Sequence, residues 1–117
     1  MMKRFLFLAV VLAVLSAFFI GPIAQAQQVI KVSAKQFEYS PSEITLKKGV
    51  PVVLEFTSLD RLHGFYCPEL DIRTDIEPGK VSRLEVTPTK AGSFPFHCDN
   101  FCGSAHGKMR GTIIVTE

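Results

Sequence analysis

From Gln28 onward the chain alternates. Val52, Leu54 and Phe56 fall on one face, and Val53, Glu55 and Thr57 on the other. That period of two predicts a strand with one buried face. Ser82, Leu84 and Val86 alternate in the same way with Val81, Arg83, Glu85 and Thr87. Phe94, Phe96 and Cys98 share a third face. Val29 to Ser33 predicts an opening strand, Ile44 to Leu46 another, and the apolar run Thr112 to Val115 a closing one. Turn formers separate these runs at Ser40-Pro41, Lys48-Gly49, Pro78-Gly79, Thr87-Pro88 and Ala91-Gly92. No stretch of ten residues carries an amphipathic helical period, and neither an internal repeat nor a low-complexity tract is present. Many short strands with regular turns predict an all-β domain, an antiparallel sandwich or barrel.

The first 26 residues follow a different rule. Phe5 to Ile20 is apolar except for Ser16, Lys3 and Arg4 precede it, and Ala24-Gln25-Ala26 follows. These are the basic, hydrophobic and small-residue parts of a secretory signal peptide. The run of 16 residues is short of the ~20 that a spanning helix needs, and Gly21-Pro22 breaks it. Cleavage after Ala26 is expected, leaving residues 27–117 as one domain exported to the periplasm or another extracytoplasmic space. Contact with a membrane is expected only if the leader is retained as an anchor.

Charge changes once the leader is set aside. Removing Lys3 and Arg4 from the 13 Lys+Arg leaves 11 against 11 Asp+Glu, so the folded domain is neutral. A nucleic-acid binder needs a basic face, and none is evident. The apolar content, 47%, argues against disorder. Export bears on the three cysteines, because an oxidising compartment pairs thiols and three is odd. At least one of Cys67, Cys98 and Cys102 needs another explanation.

The chemistry is concentrated at the end of the chain. Cys98, Cys102, His106 and Met109 fall within twelve residues at the spacing C-x3-C-x3-H-x2-M, in a stretch with glycines at 103, 107 and 111. Met109 is the only methionine past the leader. Thiolate, imidazole and thioether together select copper over Mg, Ca or Mn. A further imidazole has to come from another strand, and His63, 35 residues before Cys98, follows the polar turn Ser58-Leu59-Asp60-Arg61.

This stretch resembles the binuclear copper (Cu-A) domain of cytochrome c oxidase subunit II, a cupredoxin. That family's loop reads C-x-E-x-C-x3-H-x2-M, and Asp60-Arg61-Leu62-His63 is similar to its upstream D-x-x-H turn. Pro68 to Asp75, Pro78-Gly79-Lys80 and Thr87 to Gly92 are also similar, so the resemblance covers His63 to Val115. It implies a Greek-key β-sandwich of cupredoxin type. It implies that Cys98 and Cys102 bridge two copper ions, that His63 binds one and His106 the other, and that Met109 is a weak axial ligand. The second axial ligand would be the backbone carbonyl of Asn100, which stands where the family has Glu. The function implied is one-electron transfer, with no catalytic site of its own. The partner would be a c-type cytochrome or a terminal oxidoreductase, and the protein monomeric by default.

The sequence departs from the family in three respects. The oxidase subunit carries a pair of N-terminal membrane helices, and a leader alone is legible here. The family receives electrons through a Trp-containing tract, and this chain has no Trp. Asp71, Asp75 and Glu77 form a modest acidic cluster diluted by Arg73 and Lys80. A free-standing, single-domain relative is therefore expected. Cys67 is expected to be a small buried hydrophobe, with a disulfide or an altered copper ligand as alternatives. His97 is expected on the face opposite Cys98.

Other readings of the same residues stay open. Cys98 and Cys102 could pair as a disulfide. Two cysteines and two histidines could hold zinc, which has no use for Met109. One Cys, two His and Met could hold a single blue copper, leaving one Cys without a role. The same ligands would also serve a copper chaperone or buffer that delivers copper to an accepting protein. A copper or redox sensor would rest on Cys67 alone. No Ser-His-Asp set or phosphate loop is present.

Overall fold

The computed structural model describes residues 27–117, so the leader expected over residues 1–26 lies outside the described residues. Nine strands form: β1 Gln28–Lys35, β2 Glu38–Ser40, β3 Glu43–Lys47, β4 Val52–Ser58, β5 His63–Cys67, β6 Ile72–Ile76, β7 Ser82–Val86, β8 Gly92–His97 and β9 Arg110–Thr116. One sheet runs β2-β1-β4-β7 and the other β3-β9-β8-β5-β6. The only helical pieces among the described residues are single 3-10 turns at Pro68–Leu70 and His106–Lys108. None of those residues forms a helix long and apolar enough to cross a membrane.

The alternating strands appear as the pattern predicts. Val52, Leu54 and Phe56 point inward from β4, and Phe94 and Phe96 from β8. The antiparallel expectation needs correction at two pairs: β1 runs parallel to β4, and β3 parallel to β9. Alternation records which face is buried and carries nothing about the direction of a neighbouring strand. Here the chain leaves the first sheet for the edge of the second at β3, then returns as β4 beside β1. Such crossings make two packed layers of one core.

That core is joined at its centre by aromatic rings from both sheets. Phe56 of β4 lies 4.6 Å from Phe65 of β5, Phe65 lies 4.5 Å from Phe96 of β8, and Tyr39 of β2 meets Phe96 edge-on at 5.0 Å. Burying a side chain of this size contributes about 1.5–3 kcal/mol, and ring pairing adds roughly 0.5–1.5. Rigid packing here lies directly under the loops that follow β8 and precede β5.

Strand β5 shows why part of the fold was hidden. His63, Gly64, Phe65 and Cys67 are all buried, and only Tyr66 is partly open. The strand lies inside its sheet, between β8 and β6. Loops cover its first residues on the outer side, so no polar alternation marks it. Strands β2 and β6 were also not singled out in the sequence: β2 has only three residues, whereas in β6 Ile72, Thr74 and Ile76 do alternate with the exposed Arg73 and Asp75.

Candidate metal centre

Two segments distant in sequence meet at one end of the sandwich. Tyr66 of β5 pairs with His97 of β8 in antiparallel register. Continuing that register brings residues 98–100 alongside Phe65, Gly64 and His63. The 35-residue separation between His63 and Cys98 is thus closed by one strand pairing.

The His63 arm is built by the turn before β5. Asp60 accepts hydrogen bonds from the backbone N–H of Gln36 and of Arg61, each at 2.7 Å, and its Oδ1 lies 2.6 Å from His63 Nε2. Burial opposes the Asp60 charge, but the Gln36 N–H, His63 and the Arg61 N–H outweigh it and hold the carboxyl below its usual range. His63 is fully buried, and its Nδ1 has no hydrogen-bond partner. Leaving a buried polar atom unpaired costs about 1–3 kcal/mol, so such an atom calls for a ligand.

The second arm is the loop between β8 and β9. Cys98 N–H donates to Met109 O at 3.1 Å, which pins the two ends of the loop together. Inside it, His106 N–H bonds Gly103 O and Met109 N–H bonds His106 O, forming the 3-10 turn that aims His106 and Met109 inward. Cys98 and Cys102 are free thiols whose sulfurs lie 3.8 Å apart. Cys102 Sγ is 3.4 Å from His106 Nδ1 and 3.7 Å from Met109 Sδ, and the carbonyl oxygen of Asn100 is 3.1 Å from Cys98 Sγ. A ring nitrogen of His63 and the two sulfurs all lie within 4.8 Å of one another. All six residues singled out in the sequence therefore converge. Burial, helped by the adjacent Cys98 thiol, pushes the Cys102 thiol up to about 11, so a cation binding here displaces protons.

The donor set fits a soft metal. An unpartnered imidazole nitrogen, two buried thiols, a second imidazole and a thioether leave no position that favours a hard cation. His63 also has its opposite nitrogen held by a carboxylate, the usual support of a metal-binding histidine.

Further residues frame the site, and sequence reasoning assigned them no role. Gly64 N–H donates to Cys98 Sγ at 3.3 Å, and Gly64 O accepts from Tyr39 OH at 2.6 Å. A Cβ on Gly64 would stand 2.0 Å from Asp99 Oδ1 and 3.2 Å from Asn100 N, so the loop can approach β5 only over a glycine. Burial and the neighbouring thiols raise the Tyr39 hydroxyl well above its ordinary range, keeping it a donor. Asp60 was legible as the first residue of the D-x-x-H-like turn, without a role of its own; Gln36, Tyr39 and Gly64 carried no signal.

Arg73 bonds Asp75 at 2.8 Å and Asp99 at 2.5 Å, and Lys80 pairs with Glu77 at 2.9 Å, so two of the three acidic residues of the cluster have basic partners. Cys67 is buried in the core and burial raises its thiol. It sits four residues along β5 from His63, about 13 Å away at strand rise. His97 is exposed, with its ring against Tyr66 at 5.5 Å.

Residues 4–115 match the Cupredoxin-like domain. The chain belongs to the cupredoxin family. It is 35% identical over 91 residues to cytochrome c oxidase subunit 2 of Thermus thermophilus, covering 78% of this chain and 67% of that protein. It is 33% identical over 100 residues to nitrous-oxide reductase of Ralstonia nicotianae, covering 81% of this chain but 16% of the reductase. Among solved structures, the periplasmic domain of cytochrome oxidase subunit II of Bradyrhizobium japonicum superposes with a TM-score of 0.72 at 20% identity, covering 82% and 88% of the two chains. The relationship of this cupredoxin is thus to the Cu-A domain of oxidase subunit II, as the ligand-loop spacing implied. It spans only part of the oxidase and reductase relatives.

Proposed function

We propose that this cupredoxin is an exported one-electron carrier holding two copper ions in a site bridged by Cys98 and Cys102. The observation that carries the reading is the pair of buried free thiols 3.8 Å apart, beside the unpartnered Nδ1 of His63. One sulfur would leave a second buried thiol idle in a mononuclear site. Met109 Sδ and Asn100 O, each close to a different one of these sulfurs, would supply one weak donor per metal. His63 and His106 would supply one imidazole each. When bound, the copper pair supplies one-electron redox chemistry with the charge change shared across both metals and both sulfurs.

The chain's own residues do the rest. The β5–β8 pairing and the Cys98–Met109 hydrogen bond hold the donors in place, which limits rearrangement between oxidation states. Gly64 N–H stabilises negative charge on the Cys98 sulfur. The aromatic core excludes water from beneath. At the surface, Phe101 is 76% exposed with its ring 5.7 Å from that of His106, and Leu59 and Leu62 are exposed on the other arm. Exposed apolar side chains on both arms suit brief contact with a redox partner protein, of which a c-type cytochrome or a terminal oxidoreductase is the expected kind.

Electron paramagnetic resonance of copper-loaded, mildly oxidised protein tests this. Hyperfine structure from one electron shared by two copper nuclei is the expected result. Single-copper splitting would replace the reading with a mononuclear blue site. Ready transfer of the copper to an apo acceptor would replace it with copper delivery. Poor copper retention would return the disulfide and zinc readings.

A further inference from the structure

The two arms of the site meet through the β5–β8 pairing, and a third element touches both. This is the connection between β1 and β2, at Gln36 and Phe37. Gln36 N–H donates to Asp60 Oδ2 at 2.7 Å, and Asp60 Oδ1 holds His63 Nε2 at 2.6 Å. The Gln36 side-chain amide donates to the carbonyl of Cys102 at 2.5 Å. A single residue, 66 positions before Cys102, thereby grips the support of one arm with its backbone and the peptide of the other with its side chain. The contact is close-fitting. A Cβ on Gly103 would lie 2.8 Å from Gln36 Nε2 and 2.9 Å from the Phe37 ring, and Gly103 has a φ of +140° that L side chains rarely adopt. The peptide after Cys102 is thus shaped to lie against this hairpin.

We infer that Gln36 is a positioning residue that sets where the Cys102 thiol stands relative to the His63 imidazole. No other side-chain hydrogen bond among the described residues reaches the Cys102 carbonyl. Removing the amide leaves the Asp60 bond intact, because that bond uses backbone, but frees the Cys102 peptide from the hairpin. Asp60 and Gln36 then no longer tie the two arms to each other. The protein-only part of this inference is independent of which metal binds; its spectroscopic part rests on the copper reading above.

Gln36→Glu tests it, since the carboxylate matches the amide in size but cannot donate, and Gln36→Ala removes the side chain outright. In metal-free protein, amide exchange at Cys98, His106 and Met109 is expected to speed up about fivefold in both variants, the loss of one hydrogen bond. The global unfolding midpoint serves as the control and should change little. In copper-loaded protein, Gln36→Glu is expected to alter the hyperfine pattern and the reduction potential. Unchanged exchange would overturn the inference. So would faster exchange with an unaltered spectrum, which would make Gln36 a loop anchor only. If wild-type protein shows no binuclear signal, the copper reading fails, while the exchange rates still decide the role of Gln36.

Discussion

His63 Nε2 lies 2.6 Å from Asp60 Oδ1, while the opposite ring nitrogen is buried without a partner. The carboxylate selects which nitrogen carries the proton and leaves Nδ1 free to act as a ligand. Asp60→Ala is expected to weaken copper binding about 10–100-fold, the usual effect of losing such a support. Competition against a copper chelator measures it. An unchanged affinity would put His63 outside the site.

The same carboxylate makes the metal-free protein sensitive to acid. The hydrogen bonds outweigh burial at Asp60, and at Asp75 the Asn100 amide and then Arg73 act in the same direction, so both carboxyls sit below the ordinary 3.8 when folded. As pH falls, the unfolded chain takes up these protons first. The stabilisation is therefore fully present well above pH 3.8 and is lost as pH drops through the lowered folded values. Urea midpoints between about pH 5 and 2 should fall with acid, and less steeply in Asp75→Asn than in wild type.

Cys102 and Met109 should respond differently to substitution. Cys102→Ser would remove one of the two proposed bridges and is expected to abolish a two-copper spectrum. Met109→Leu conserves volume in a fully buried position, so the fold should lose less than about 1.5 kcal/mol. Copper should stay bound with a shifted reduction potential if Met109 is the weak donor proposed, because such a donor tunes the metal more than it holds it. An unaltered spectrum in Cys102→Ser would rule out bridging.

Gly64→Ala tests the approach of the ligand loop to β5. The new methyl would collide with Asp99 Oδ1 at 2.0 Å, and Asp99 is held by Arg73 and cannot swing away freely. Overpacking of this kind costs about 1–3 kcal/mol. Loss of the Gly64–Cys98 contact should accompany it, read as weaker copper retention and a lower thermal midpoint. A variant with wild-type copper retention would show that the loop can shift without disturbing its donors.

Cys67 gives the opposite outcome. Cys67→Ala deletes one buried sulfur from the core and should cost roughly 1–2 kcal/mol, while leaving the copper spectrum as it was. Loss of copper in this variant would place Cys67 among the ligands.

Much was readable along the chain because the rules concerned are local. Alternation at Val52–Phe56 and Phe94–Phe96 reports a half-buried strand wherever that strand finally sits. The spacing of Cys98, Cys102, His106 and Met109 names soft donors on one short loop, and burial of all but a half-covered His106 follows from their chemistry. Strand direction and partners were not local. The parallel pairs β1–β4 and β3–β9 arise from where the chain crosses between sheets. Strand β5 lost its alternation because the core buries its inner face and the ligand loop covers Gly64 on the other.

The sequence by itself determined the fold class and pointed to copper and to a set of candidate donors, since residue type and short-range spacing suffice for these. Tertiary structure alone decided how His63 reaches Cys98, through the register of β5 against β8. It alone revealed Gly64, Tyr39 and Gln36 as the frame of the site. These three act through one or two hydrogen bonds each and close backbone approach, across 24 to 66 positions. Contacts of that range leave no period or motif in the chain; they exist only once packing has brought the segments together.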